Sequence, residues 1–344
     1  MVYVMQAEIM LSTPSFNDHV LVRVLDVSCS WNVTEAGTLT ALVERDIYEH
    51  IPFDTILDKW VAWDSPAGLW GGTVDTVTYH LASHYVELGC RSFHDLLSSR
   101  RTGVVDLPGR TAGGIVSRAI GETMMSDPAL ISEYQVEEIG QPISHQLRDD
   151  DLSSVVSTIC GTVGAEWRVS LQKDYSLLFE FRKRLGRNKS GDVYLIEGIH
   201  FFDGTITETV NGMYNDIKAM ATDDDYANSA SNVVTNGHSI KQYRRRQTVR
   251  KYEGLVKESV LTPQARADME KTAYPAVSFQ MNLHNVEEIF ERFEEGDTVT
   301  VVSETADSQR MVRILSRTIN SDGSLDIAGE AWTVGEAAAV DGSQ

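Results

Sequence analysis

The stretch 70–103, WGGTVDTVTYHLASHYVELGCRSFHDLLSSRRTG, constrains this chain more than any other, because strand, turn, strand, helix and stop signals all fall inside it. Residues 73–80 are rich in β-branched and aromatic types, and 85–90 put Val86, Leu88 and Cys90 on one face at period 2. These segments predict a β-hairpin feeding a helix. Ser92 stands at the N-cap position, Asp95 can complete a capping-box-like pair, and Phe93, Leu96 and Leu97 make an apolar stripe. Arg100 and Arg101 suit the negative helix end and Gly103 the stop. The stretch is a structural joint that carries no evident catalytic group.

Upstream, strands are expected over 3–11, 20–30 and 38–44, with Gly37 supplying a permissive backbone in the turn, and aromatic-bearing segments follow over 60–70 around Pro66 and Gly68. Downstream the character changes. Thr111 can cap a helix with Ile115, Val116, Ala119 and Ile120 inside. A second helix follows Asp149-Asp150-Asp151, with Leu152, Val155, Val156, Ile159, Cys160 and Val163 at spacings of three and four and Gly164 as its end. Trp167, Val169 and Leu171 then alternate, 173–176 turns, and Leu177, Phe179 and Phe181 alternate back. Residues 104 to about 200 form a mixed α+β unit.

Strands return over 198–221, interrupted by the turn dipeptide Asn211-Gly212. The polar run 223–237 predicts an exposed loop, and 263–271 a helix with Thr262 as cap and Pro263 at its first position. A closing β unit spans 298–303, 311–318 and 325–332, with its tight turn at 320–323. There is one internal echo: Val22-Arg23-Val24-Leu25 with Gly37-Thr38-Leu39, against Val312-Arg313-Ile314-Leu315 with Gly323-Ser324-Leu325.

Length favours two to three domains in 344 residues. The first residues lack the basic start of a signal peptide, which argues against secretion by that route, and no apolar run approaches the roughly 20 residues that cross a bilayer. Cys29, Cys90 and Cys160 make no paired framework, so reduced structural thiols are expected. Fifty acidic against 30 basic residues, a formal charge of −20, argue against gripping nucleic acid by its phosphates. That sign serves solubility, and it equally suits a conduit past which nucleic acid slides.

Chemistry-bearing patterns are sparse. His80, His84, Cys90 and His94, spaced H-x3-H-x5-C-x3-H, hold the ligand types of a zinc site, but Cys90 shares its face with core residues, so surface histidines and a buried thiol are expected, with no metal. Asp203, Asp223, Asp224 and Asp225 lack the alternation and glycine of a calcium loop. The sequence contains no nucleophile elbow, P-loop or dinucleotide fingerprint, so neither a catalytic residue nor a cofactor is assigned. Two basic clusters interrupt the acidic background: Arg182, Lys183, Arg184, Arg187 and Lys189, and the denser Lys241, Arg244, Arg245, Arg246, Arg250 and Lys251. The second is the candidate interface, contacting acidic surfaces of neighbouring subunits through arginine forks.

The order of parts resembles the baseplate or tail-tip hub proteins of tailed bacteriophages and phage-derived particles. The resemblance is carried by WDSPAGLWGGTVDTVTY (63–79), GCRSFHDLLSSRRTG (89–103), the helix and hairpin of 152–193, and GDTVTV with VRILSRTINSDGSLDIAGEAW at the end. It implies a β-rich α+β multidomain fold in which two tail-tube-like β-barrel domains flank and interleave with a mixed α+β domain. The first barrel would span 1–105, the mixed domain 106–197, a shared β-rich segment 198–295, and the closing strands and tail 296–344. It implies a non-enzymatic homotrimer, a ring of six barrels joining the sixfold tail tube or distal tail ring to a threefold spike or central fibre. Its partners would include the tape measure protein, and genome DNA would pass through without specific binding. It would sit at the virion tail tip, without stable membrane insertion, after assembly in the host cytoplasm. Since the sequence stops soon after its last β unit, any cell-wall-degrading activity is expected on another chain. The hub of a contractile injection machine is the alternative within this class. From another class, the alternative is a glycan hydrolase or glycan-binding tail component using acidic residues and Trp60, Trp63 and Trp70.

Overall fold

The computed structural model describes residues 7–16, 18–33, 35–126, 131–140, 143–222, 231–253, 258–284, 287–305 and 308–331. Its chain divides into two compact units, one of residues 1–204 and 280–329, the other of residues 205–279 and 330–344.

The first unit begins with β1 (Ala7–Ser12), β2 (His19–Val24), β3 (Asp26–Asn32), β4 (Thr38–Glu44), the short helix α1 (Arg45–Glu49), β5 (Trp60–Ser65), β6 (Gly68–Tyr79) and β7 (Tyr85–Ser92). The expected strand 20–30 is broken at Leu25 into β2 and β3, and of the strand expected over 3–11, residues 1–6 lie outside the described residues. The 70–103 hairpin forms as β6 and β7, with Val86, Leu88 and Cys90 all buried. The helix after it does not take the expected form. Phe93–Ser99 is a 3-10 helix, and Ser92 makes no side-chain cap because its hydroxyl accepts the N–H of Gly37 at 3.0 Å. Arg100 is already extended, so neither arginine sits in a last turn. Gly37 is needed for space rather than for a left-handed backbone: a Cβ there would lie 2.1 Å from the Ser30 carbonyl oxygen.

A mixed segment follows: β8 (Val104–Arg110), α2 (Ala112–Ser126), β9 (Glu133–Val136), β10 (Ile143–Arg148), α3 (Leu152–Val163), β11 (Glu166–Leu171) and β12 (Leu177–Arg182). Asp151 caps α3 by accepting the Ser154 N–H at 2.8 Å, and Gly164 ends it at φ 65°. One apolar core runs from Phe16, Trp60 and Phe93 through Ile115 and Val156 to Phe179. Each such side chain contributes about 1.5–3 kcal/mol by leaving water. The first strands and the mixed segment therefore share an interior.

Next come β13 (Tyr194–Ile196) and β14 (Phe201–Thr209), within which the chain leaves the first unit. The second unit holds β15 (Asp216–Thr222), β16 (Ser231–Thr235), α4 (Gly237–Tyr243), β17 (Gln247–Glu253) and α5 (Glu258–Thr272). Its sheet has the order β16-β15-β17, with Ile217 and Ala219 of β15 packed on Met269 and Ala273, and on Leu261 and Ala265, of the α5 segment. The loop expected over 223–237 is in part a strand. Residues 223–230 lie outside the described residues, but 231–235 pair with β15, because the central strand supplies a ladder that polar residues can join. Helix α5 starts at Glu258, ahead of Thr262, so Pro263 lies inside it. A proline near a helix start forfeits one bond without forbidding a preceding turn.

The chain re-enters the first unit within β18 (Ala276–Leu283), followed by α6 (Glu287–Phe290), β19 (Thr298–Ser303), β20 (Ser308–Ile319) and β21 (Leu325–Ala331). With the opening strands they make one 13-stranded sheet. Its strand order repeats: β3-β4-β7-β6-β5 in the opening half, β14-β18-β21-β20-β19 in the closing half. A short helix follows β4 and β18 alike, and β6 and β20 are both 12 residues long. Matching ladders run from Trp60↔Thr73 to Ser65↔Gly68 and from Thr298↔Arg313 to Ser303↔Ser308. The halves diverge beyond this: β5 pairs β1 antiparallel, whereas β19 pairs β13 in parallel. Duplication is thus present in the topology, but the echo seen in the sequence is not its alignment. Residues 22–24 lie in β2, which has no counterpart, with Leu25 in the break after it, and 312–315 lie in β20, whose counterpart is β6.

Candidate assembly joint

The two halves of the large sheet meet where β20 runs on past β19 and pairs with β3, through Ser316↔Asn32, Arg317↔Trp31, Thr318↔Ser30 and Ile319↔Cys29. Arg317 is the centre of this joint. It is 3% exposed, donates from Nη1 to the carbonyls of Phe293 (2.9 Å) and Ala67 (3.1 Å), and donates from Nη2 to Glu295 (3.0 Å). Its guanidinium lies 5.0 Å from the Trp31 ring centroid, within cation–π range. One side chain thereby ties the opening hairpin, the α6–β19 connection and β20 together.

Two further arginines extend the network into the mixed segment. Arg168 pairs with Glu180 at 2.7 Å and with Glu295 at 3.5 Å, so Glu295 bridges Arg168 and Arg317. Arg313 holds Glu166 by two bonds of 2.7 and 2.6 Å and donates to the carbonyls of Gly296 and Leu185. Such a planar fork is what a carboxylate accepts best. The backbones meet nearby at Gly186 (φ 81°), where a Cβ would stand 2.0 Å from the Gly296 carbonyl carbon. Lys189 closes on Asp297 at 2.8 Å.

None of these arginines stood out in the sequence. The available signal was a charged residue on a strand that reads as buried: in 311–319, MVRILSRTI, arginines alternate with apolar residues. Most of the first basic cluster is consumed internally as well, with Arg182 on Glu180 at 3.0 Å, Lys183 on the Val163 carbonyl at 2.8 Å and Arg184 on Thr298 at 3.2 Å.

The denser cluster lies in the second unit and divides in two. Buried Asn215 donates to the Arg244 carbonyl and accepts the Arg246 N–H, while Arg245 pairs with Asp216 at 3.3 Å and Arg246 reaches the Val210 carbonyl. Residues 244–246 are therefore a folded knot. Lys241, Arg250 and Lys251 are exposed, the last two on the edge strand β17, with Arg250 6.0 Å from the Tyr214 ring centroid.

The described residues contain no group of three or more His, Cys, Asp or Glu able to hold a metal ion. Cys90 faces the core, His80 lies 3.6 Å from Glu87, and His94 stacks on Trp167 with ring centroids 3.7 Å apart. Burial lowers the His94 pKa to about 4 and raises those of Cys90 and Cys160 to about 12. These thiols stay protonated at neutral pH, the wrong state for a nucleophile. Of the tryptophans expected to offer a glycan platform, Trp60, Trp63 and Trp70 are all buried. No helix among the described residues is long and apolar enough to cross a membrane.

No family model and no curated protein matches the chain. Solved structures do. The prophage tail protein gp18 from Listeria monocytogenes superposes with TM-score 0.66 at 12% identity, over 97% of this chain and 98% of that one. The 43 kDa tail protein of prophage MuSo2 from Shewanella oneidensis gives TM-score 0.66 at 12% identity, over 94% and 97%. The E. coli c3393 protein, a type VI secretion component similar to the T4 bacteriophage tail proteins gp27 and gp5, gives 0.56 at 11%, over 90% and 74%. The chain has the fold of these phage tail proteins across nearly its whole length. The resemblance noted in the sequence, to the tail-tip and baseplate hub family, therefore holds at the level of the fold.

Proposed function

We propose that the protein is the structural hub of a phage tail tip or baseplate. Three copies form a pseudo-sixfold ring joining the sixfold tube or distal tail ring to a threefold spike or fibre, and the ring lines the channel by which DNA leaves. The carrying observation is the repeated strand order, β3-β4-β7-β6-β5 and β14-β18-β21-β20-β19, held together by the β20–β3 ladder. Two like modules per chain let a threefold assembly present six similar positions to a sixfold neighbour. Each half is read as a tube-like barrel, the first within residues 1–105 and the second built from β13, β14 and β18–β21. The formal charge of −20 suits a wall that DNA must pass without sticking.

The role is architectural. Buried tryptophans, which offer no stacking platform for a sugar, and arginines committed to structural pairs support a scaffold over a glycan-binding component. Exposed Lys241, Arg250 and Lys251 are read as contacts to acidic neighbouring subunits, with Arg244, Arg245 and Arg246 shaping the loop that presents them. The type VI secretion likeness favours a second reading, the hub of a contractile injection machine, with the same architecture. Electron microscopy of the purified chain tests the proposal: averages should show a threefold ring with a central hole, and a peptidoglycan zymogram should stay opaque. A solitary particle, or clearing by the purified chain, would overturn it.

A further inference from the structure

The sheet of the second unit has one face covered and one face open. Side chains alternate along a strand, so Ile217 and Ala219 of β15, which pack on the α5 segment, put Asp216, Lys218 and Met220 on the opposite face. The registers extend that face sideways. Val233 of β16 and Val249 of β17 stand on either side of Lys218, and Ser231 and Lys251 on either side of Met220. Val233 and Val249 are 56% and 54% exposed, and Lys218 and Lys251 are exposed with them. Strands β15 and β17 run parallel, and strands paired in parallel are ordinarily covered on both faces. Here α5 covers one.

The same alternation divides the basic run. Arg250 is in register with Ala219, on the helix side and near the Tyr214 ring, whereas Lys251 falls on the open face. Asp216, the one carboxylate among the described side chains of that face, is buried and held by Arg245 at 3.3 Å and Gln247 at 3.0 Å. Lys218 and Lys251 have no carboxylate partner among the described residues. The open face therefore presents two uncompensated cations beside an apolar row. The first unit has the opposite character: it contains 38 Asp and Glu against 20 Lys and Arg, where the second contains 12 against 10.

We infer that this face, carrying Lys218, Val233, Val249 and Lys251, docks on a carboxylate-bearing surface of the first unit in a second copy of the chain. This rests on the trimeric reading above and names the surface that makes it, a sheet face rather than the basic run as a whole. The valines supply area that leaves water, and the lysines select a partner by the sign of its charge. A contact between unlike faces of two copies is head to tail, so it can close into a ring. Nucleic acid suits the face less well. Its strands place two lysines and no arginine there, around apolar side chains, and affinity for phosphate grows with the number of cations that neutralise it.

The test uses the full chain. In sedimentation the wild type should have three times its monomer mass of 38.2 kDa. Lys218→Glu combined with Lys251→Glu should weaken that association by about tenfold or more, with melting unchanged, and Val249→Asp should act in the same direction. Independently of any variant, a carbodiimide, which joins an amine to a carboxylate in contact with it, should link Lys218 or Lys251 to an Asp or Glu within 1–204 or 280–329. Mixing isotopically labelled with unlabelled chains shows by mass spectrometry that the link joins two copies. A wild-type trimer whose affinity is unchanged in these variants, with no link between copies from either lysine, overturns this face and leaves the trimeric reading standing. A wild type that stays monomeric at every concentration, with no such link, overturns both. A duplex DNA fragment retarded by the wild type and released by the double variant would assign the face to nucleic acid and overturn the contact between copies.

Discussion

Two sets of arginines in this protein behave in opposite ways. The run 241–251 is dense in sequence, yet its outer members are exposed and its inner members hold one local loop. Arg168, Arg313 and Arg317 are scattered through sequence, yet they converge between the halves of the large sheet and the mixed segment, with Arg317 and Arg313 3% and 6% exposed. Charge density along a chain reports where the chain is solvated. An isolated arginine on an otherwise apolar strand reports where it is bonded, because burying an unpaired guanidinium costs several kcal/mol.

The largest effect that sharpens this contrast is expected at Arg317. Arg317→Ala leaves Glu295 with one fewer cation and strands carbonyls of the joint without a donor, so urea denaturation should show a loss of about 3–5 kcal/mol. A loss under about 1 kcal/mol would remove Arg317 from the centre of the joint. Arg313→Met and Glu166→Leu should each cost about 3 kcal/mol, since each removes one ion of a largely buried pair, and the double variant should recover most of it. Additive losses would show that the pair is not coupled.

Acid should act on the joint through His94. Its pKa in the folded chain, about 4, lies below the ordinary 6.5, so between these values the unfolded chain takes up a proton that the folded chain refuses. Stability is therefore fully present above pH 6.5 and falls as pH drops toward 4, by at most about 3.5 kcal/mol at roughly 1.4 kcal/mol per pH unit. His94→Gln should flatten that slope in a series of melts, and an unchanged slope would assign the acid sensitivity elsewhere. The smallest effect on the isolated chain belongs to Arg250→Glu with Lys251→Glu, which should alter unfolding free energy by no more than about 0.5 kcal/mol. If these residues contact acidic neighbours, the pair should still weaken co-sedimentation with them. Unchanged co-sedimentation would leave the run with only its local role.

Much of the fold was legible because its signals are short-ranged. The Asp151 cap and Gly164 stop of α3 act within a single helix, and the β11–β12 hairpin follows from alternation on either side of one turn. Where a short-range signal competed with a distant partner, the partner prevailed. Ser92 had the right neighbours for an N-cap, but Gly37, 55 residues away in the chain, took its hydroxyl, and the segment wound as 3-10 helix. The strand at 231–235 went unread for the same reason: Ser, Asn and Thr describe an exposed loop until β15 offers them a ladder.

By itself the sequence determined the β-rich α+β character, the helices at 112–126 and 152–163, the buried face of β7 and the acidic charge. These follow from period, capping and composition, which any window of the chain carries. Only the tertiary structure decided the strand-order repeat and the arginine joint. Arg313 finds Glu166 across 147 residues and Arg317 finds the Ala67 carbonyl across 250, and at such separations no local pattern encodes the partner. What selects it is the requirement that each buried donor meet an acceptor once the sheet has closed around it.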